Sequence, residues 1–441
     1  MCIIQDDQQD WREQSALMAA VYSNAVLTIA ASGSAGPSLG MFRREEVKSR
    51  YVDWELGDEK STEGREEGSF KRDVTRQGIR VRRPLPHDAN QQPLMTRAWV
   101  FQERLLSPRF LHFGAHELIW ECMELTSCEC RGLGVQWSSR HNSWLEPKNR
   151  MSNASLTVLH QKSAMEAWHS AVSDYSRLKL SYPLDIFPAI SGVAKRIAQA
   201  TNQQYVAGLW RDWLVLDLVW RAQKPEGMER PELWRAPTFS WASIIAKKGV
   251  LDRPGISYAF MEFLGYGIGV DAEPTPRGTI KGWKTVEHAE VIETLSSPLS
   301  TDELGQITSG FIVLSGTLIE VRLLSPSNNV PILRTLNLAP AGKNALEASF
   351  LWPDYDYAAE GKYHIPPQSK VFCLKLASTQ KLRGGDPYML YLVLRRIGEQ
   401  IEMSGIFERI GIYRDSRGSD TNLEMESERD AVCEGAKVKI V

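Results

Sequence analysis

The chain is poor in several features that narrow its class by their absence. Its 441 residues hold only six cysteines, too few for a disulfide scaffold in a chain of this length. Neither charge sign dominates: 52 Lys and Arg stand against 54 Asp and Glu, a net charge of −2. That balance gives no footprint for nucleic acid, which is held by clustered Lys and Arg that displace counterions. Long hydrophobic runs are also missing. The most apolar stretch, Trp213 to Trp220, is interrupted by Asp217 and falls far short of the ~20 residues of a membrane span. The start, Met1-Cys2-Ile3-Ile4-Gln5-Asp6-Asp7, lacks the basic region and apolar stretch of a secretion signal. These absences predict a soluble, cytoplasmic chain without nucleic-acid partner or membrane span, long enough for two or three domains.

What is abundant is tryptophan, with 14 residues. Several recur inside short polar-aromatic motifs, and large aromatics ordinarily mark rigid core layers. The N-terminal pattern reads as a strand end at Cys2-Ile3-Ile4, a polar loop, and a helix from Asp10. Its apolar stripe is Trp11, Met18, Val21 and Tyr22. Val26 to Ala31 is β-prone, and Ser32 to Gly40 is a Gly/Ser loop. Residues 43–92 are highly charged, without sustained periodicity, and read as an insertion. Thr96 to Leu106 predicts a helix stopped by Ser107-Pro108, followed by a hairpin of Phe110 to Phe113 and Leu118 to Cys122. Residues 160–222 read as mostly helical, with a helix restarting at Pro188 and a stripe of Leu209, Trp213, Leu216 and Trp220. After Pro237 the pattern turns to alternation, with strands at Gly310 to Val321, Val371 to Leu376 and Met389 to Leu394.

These motifs add up to a resemblance. Cys2-Ile3-Ile4-Gln5-Asp6-Asp7, Asp10-Trp11, Met18, Tyr22-Ser23-Asn24-Ala25 and Thr28-Ile29-Ala30-Ala31 resemble the middle block of the fungal heterokaryon-incompatibility (HET) domain. Gly40-Met41-Phe42 and Arg97-Ala98-Trp99-Val100-Phe101-Gln102-Glu103-Arg104-Leu105-Leu106-Ser107-Pro108-Arg109 look like its later blocks, with Trp120-Glu121-Cys122 after them. Further likeness runs through Asp174-Tyr175-Ser176, Ile190 to Ala194, Tyr205 to Trp210, Arg235 to Ser243 and Phe407-Glu408-Arg409-Ile410-Gly411. The family's upstream "Y-ALSY-WG"-like portion has no counterpart, so a HET domain lacking its N-terminal part is expected.

The resemblance implies a role in non-self recognition and programmed cell death between fungal strains, exercised through protein partners such as another incompatibility protein. HET domains have also been compared with TIR domains, some of which hydrolyse NAD through a helix glutamate a few residues after a Trp. Glu13 is the nearest catalytic candidate, one residue before the family's position, which Gln14 occupies. That shift turns it by ~100° on the helix. Against this stands a capping box, Asp10-Trp11-Arg12-Glu13, with Asp10 at N-cap and Glu13 at N3. Arg97, Trp99, Gln102 and Glu103 are read as a structural cluster locking their helix to the domain, and Trp241 as core. Cys122, Cys128 and Cys130, with His112 and His116 nearby, do not have structural-zinc spacing, so no metal is expected. No cofactor is expected either, NAD entering only under the hydrolase reading.

The expected fold class is therefore α+β. It comprises a partial TIR-like α/β HET remnant over 1–125 with the charged insertion at about 43–92, a mainly helical region over 126–250, and a β-rich region over 251–441. The alternatives to a contact-based signalling protein are an NAD-hydrolysing enzyme using Glu13 and a non-functional fragment. Without the upstream walls of a nicotinamide cleft, the chain as given is expected not to turn over NAD.

Overall fold

A computed structural model describes residues 4, 6–42, 52–54, 79–81, 92–129, 161–250, 255–258, 283–323, 338–339, 349–381, 388–397, 405–415 and 432–441. The architecture is mixed α+β with a β-rich C-terminal region. Of the strand expected at Cys2-Ile3-Ile4, residues 2 and 3 lie outside the described residues and Ile4 is not in a strand. Cys130 and most of the charged stretch also lie outside them; within that stretch Val52–Trp54 pairs antiparallel with Ile79–Val81.

Helix α1 spans Gln8–Ser23 and starts earlier than the sequence predicted. Its N-cap is Asp7, in an extended conformation, whose Oδ1 accepts from the backbone N–H of Gln9 at 2.8 Å and of Asp10 at 3.1 Å. Gln8 and Gln9 are good helix formers, so the helix extends to the first carboxylate able to cap it. Asp10 is thereby displaced from the cap to the first turn, where its Oδ2 accepts from Ile4 N–H at 2.7 Å. The expected Asp10–Glu13 capping box does not form. The stripe also needs one correction: Met18 is buried and Trp11 and Tyr22 half-buried, but Val21 is exposed. At 100° per residue it lies ~80° from Trp11, at the margin of the face.

Strand β1 (Thr28–Ala30) follows, then α2 (Ala98–Leu106), β2 (Arg109–Phe113), β3 (Leu118–Cys122) and β4 (Thr126–Cys128). They form one four-stranded sheet, in which β1 pairs parallel with β2 while β2, β3 and β4 run antiparallel. Beneath this sheet lies a polar chain. Arg104 reaches both oxygens of Glu121 at 2.7 Å, His112 Nε2 lies 3.2 Å from Glu121 Oε2, and Ser32 Oγ lies 2.9 Å from His112 Nδ1. Ser32, His112 and Glu121 are fully buried. Burial by itself would raise the Glu121 pKa. The Arg104 charge and its two hydrogen bonds, with His112, outweigh that and hold it at about 2.

The middle of the chain holds α3 (Gln161–Tyr175) and α4 (Pro188–Thr201), with Pro188 in the first turn of α4. The expected helix carrying Leu209, Trp213, Leu216 and Trp220 is instead broken into short pieces: strands Tyr205–Val206 and Leu209–Trp210, a 3₁₀ turn Arg211–Trp213, a helical turn Leu214–Asp217, and strand Trp220–Ala222. Two features redirect the chain. Gly208 sits at φ +92°, open to glycine and strained for other residues. Asp217, fully buried, accepts from Trp210 N–H at 2.7 Å and bonds His169 Nε2 at 2.6 Å, a side chain–backbone bond in competition with helix. Trp168 and Trp241 both donate to the Gly208 carbonyl, at 3.0 and 2.9 Å, so two indoles fix that turn.

The C-terminal strands are β5 (Trp283–Glu287), β6 (Glu290–Pro298), β7 (Ile307–Leu323), β8 (Ser349–Pro353), β9 (Lys370–Lys381), β10 (Tyr388–Ile397), β11 (Gly405–Asp415) and β12 (Val432–Ile440). Five of them close into a barrel: β7 pairs β9, β9 pairs β10, β10 pairs β11, β11 pairs β12 in parallel, and β12 returns to β7. Closure is possible because β7 is 17 residues long. It offers one edge to β12 over Ile312–Ile319 and the other to β9 over Leu318–Arg322. Buried hydrophobics from Ala98 to Ile440 form one continuous cluster across helices and barrel.

At the seam sits Arg409, fully buried on β11. Its guanidinium forks onto Asp354 through two 3.0 Å bonds, donates to the Leu218 carbonyl at 2.7 Å and to the Trp220 carbonyl, and lies 3.5 Å over the Trp220 ring. Arg230 donates to the Arg409 carbonyl and to Ser243, and Thr238 binds both Arg409 N–H and the C-terminal Val441 carbonyl. Two segments about 170 residues apart in sequence, Arg235 to Ser243 and Phe407 to Gly411, thus meet at one point.

Replacing Arg409 by Leu leaves buried Asp354 without its hydrogen-bonded partner and with only Arg230, 3.9 Å away, to offset its charge, and the expected loss is roughly 3–5 kcal/mol in urea denaturation. Glu121 has a pH signature. Its pKa is depressed from the ordinary 4.5 to about 2, so its contribution is complete above the unfolded-state value and disappears as pH falls through about 2. Acid titration of stability should therefore fall less steeply between those limits in Glu121→Gln than in the unaltered chain, from a lower starting stability.

Candidate functional site

The motif residues of the N-terminal blocks converge where α1, α2 and α4 meet. Gly192 on α4 marks the contact. A Cβ there would lie 2.7 Å from Leu106 Cδ1 and 3.0 Å from Gln102 Oε1, both on α2, and 2.9 Å from Ala19 Cβ on α1. Gln102 is buried and bridges the gap: its Oε1 accepts from Gly192 N–H at 3.0 Å and its Nε2 donates to the Pro188 carbonyl at 3.2 Å. A side-chain amide has both a donor and an acceptor, so it can engage two backbone groups in the first turns of α4 at once.

Around that junction the polar and aromatic groups pair off. Trp11 on α1 meets Trp99 on α2 edge to face, ring centroids 5.9 Å apart. Trp99 Nε1 donates to Asp185 Oδ2 at 3.0 Å, tying α2 to the 3₁₀ turn before α4. Burial raises the Asp185 pKa, an effect the Trp99 bond partly offsets. Glu103 lies half-buried beside Tyr22, with which it shares a hydrogen bond. Burial raises the Glu103 pKa against the opposing pull of the Tyr22 bond and the Arg97 charge, and burial with the adjacent carboxylate raises the Tyr22 phenol. Arg97 itself is exposed and extended at the N-cap of α2, where it bridges to Lys179. Lys195 on α4 forms an ion pair with Asp302 at 2.9 Å, and Ser191 donates to the same carboxylate at 2.9 Å.

The other sequence-predicted residues lie outside this junction. Glu13 is exposed, and its Oε1 accepts from Gln9 Nε2 at 3.1 Å one turn away. Asp10 serves the chain preceding the helix. Trp241 is fully buried at the Gly208 turn. Cys122 and Cys128 are free thiols on neighbouring strands, and no group of three or more metal-ligating side chains occurs among the described residues. Sequence reasoning singled out neither Asp185 nor the partnership of Tyr22 with Glu103. Both pairs join residues about 80 apart or more, and the only local signal was that each stood inside or beside a family-like motif. The Ser32–His112–Glu121 chain was equally hidden. The order of groups resembles a hydrolytic triad, but all three side chains are fully buried, with no path for a substrate to Ser32.

No described helix is long and apolar enough to cross a membrane. Neither a curated protein nor a solved structure matches the chain. One family model does, described as Heterokaryon incompatibility protein (HET), over residues 1–103. The matched segment begins before the Asp7 cap, contains α1 and β1, and ends within α2 at Glu103. It therefore includes Trp11, Tyr22, Arg97, Trp99, Gln102 and Glu103, the N-terminal members of the junction. Residues 1–103 of this chain are thus similar to the HET domain.

Proposed function

We propose that the chain is a heterokaryon-incompatibility signalling protein that promotes cell death on non-self recognition, and that its HET segment acts by protein contact. The observation that carries this reading is the apolar surface of the segment. Leu17 and Val21, one turn apart on α1, are exposed, as are Val26, Leu27 and Ile29 in and before β1, with Val26 at 80%. Among the described residues β1 has a single neighbour, β2, and forms the edge of its sheet. A monomer seldom leaves several large aliphatics together beside an open strand edge unless another surface covers them.

The groups with shifted proton affinity fit the same reading. Glu103 and Asp185 are each engaged by a neighbouring side chain, Tyr22 and Trp99, in contacts that hold α1 and α4 against α2. They position the contact surface. Glu13 is exposed with Gln9 as its partner, and among the described residues no second group converges on it to orient a ribose or a leaving group. The TIR-like and NAD-hydrolase readings accordingly lack a supporting observation of this kind.

The expected outcome for Leu17→Glu combined with Ile29→Lys is loss of killing when the chain is overproduced in fungal hyphae. The melting temperature should stay close to that of the unaltered chain, since exposed substitutions ordinarily change stability by less than about 0.5 kcal/mol. Killing by both forms, or by neither, would overturn the proposal.

A further inference from the structure

Arg235 is the one arginine of the motif Arg235 to Ser243, and it is 5% exposed. A buried guanidinium ordinarily faces a carboxylate, because an uncompensated charge away from water is costly. Arg235 has backbone carbonyls instead. Its Nε donates to Ala242 at 2.7 Å, one terminal nitrogen to Pro183 at 3.1 Å and the other to Ile244 at 2.7 Å. Among the described residues no ion pair reaches it. A guanidinium carries five N–H groups, so two remain after these three bonds. Burial lowers its pKa to about 10, which leaves it charged at neutral pH.

The same side chain lines a pocket. The pocket lies between the end of α3, the 3₁₀ turn before α4, and the short strands Met228–Glu229, Ile245–Ala246 and Ile256–Tyr258. Apart from Arg235 and Ser176 the side chains of its wall are apolar: Leu180, Ile186, Met228, Ile244 and Ile256 beside Trp241. The cavity volume is about 60 Å³, well below that of drug-sized ligand sites, so only a short, slender group can enter it. Pro183 is exposed and Leu180, Ile245 and Ala246 are half-buried, so the pocket reaches solvent. The wall arrives from three separate stretches of chain, and Arg235 bonds two of them, the Pro183 turn and the Ala242–Ile244 segment.

We propose that this pocket binds a monocarboxylate carried on a short apolar tail, with the carboxylate on the free N–H groups of Arg235 and the tail against Ile186, Met228, Ile244 and Ile256. The charge supplies what the guanidinium lacks, and a planar carboxylate matches its donor geometry better than a point anion. The other lining side chains carry no charge, and Ser176 Oγ is engaged by the Ser173 carbonyl and the Ile256 N–H, so the wall has no partner for a second charge. Two sources present this chemistry: a free short-chain acid, and the C-terminal carboxylate of a peptide ending in an aliphatic residue.

The test is calorimetric titration of the full chain with sodium hexanoate, with hexan-1-ol as the uncharged control, and with acetyl-Gly-Leu as free acid and as amide. Saturable one-site binding of hexanoate or of the acetyl-Gly-Leu acid is expected, each at least about tenfold tighter than its uncharged counterpart, the difference expected of one charge-assisted hydrogen-bonded pair. Which of the two acids binds more tightly distinguishes a free acid from a chain end. Arg235→Lys should weaken binding by a similar factor. Because Arg235 also joins two segments, a second variant keeps the experiment decisive if that one fails to fold: Ala246→Phe fills the pocket, leaves Arg235 in place, and should abolish binding. No saturable heat with either acid up to about 10 mM, equal binding of acids and uncharged controls, or unchanged affinity in Ala246→Phe would each overturn the proposal.

Discussion

A buried cation, Arg409, joins the barrel to the middle of the chain. Arg409 leaves the barrel strand β11 and places its guanidinium between Asp354 and the carbonyls of Leu218 and Trp220, under the Trp220 ring. A charge so placed is tolerable only if its partners are fixed, since losing any one of them exposes the cost of desolvation. That requirement fixes in turn the turn around Gly208, where Trp168 and Trp241 converge, and the segment from Thr238 to Ser243 that also holds the C-terminal Val441. The barrel and the broken helical middle therefore share one core.

The HET segment is attached to this core by a different chemistry. Its junction relies mainly on hydrogen bonds and close packing: a glutamine amide spanning to α4, a glycine permitting close approach, and an indole N–H on Asp185. Just beyond it, the Arg104–Glu121 ion pair lies between α2 and the small sheet. The outer side of the segment is left with exposed aliphatics on α1 and around β1. A surface of that kind, held on a rigid helical junction, is suited to recognition of another protein, because its hydrophobic gain is realised only on contact.

Much of the fold could be read from periodicity. The strands at Arg109–Phe113 and Leu118–Cys122, the helix beginning at Pro188 and the alternation in β7, β9 and β10 are local properties of the sequence, and they lie where local pattern places them. The helix start at Gln8 was misread because two carboxylates, Asp7 and Asp10, compete for the cap, and the nearer cap lies outside the hydrophobic period. The run from Leu209 to Trp220 misled for a deeper reason. It is buried on nearly all sides, and a segment surrounded by protein has no polar face from which to read a period.

By itself the sequence determined the order of structural types and the HET likeness of its N-terminal blocks, and it marked Trp11, Trp99, Gln102 and Glu103, because each is carried by neighbours within a few positions of one another. The tertiary structure alone decided their partners. Tyr22 with Glu103, Trp99 with Asp185, His112 between Ser32 and Glu121, and Arg409 with Asp354 are pairings across tens of residues. Closure of the barrel, which needs both edges of β7, was likewise a matter for the assembled chain. Arg235 shows the difference most plainly. Its place in a motif was visible in sequence, but its lack of a counter-ion is a property of the space around it, which no neighbour in the sequence specifies.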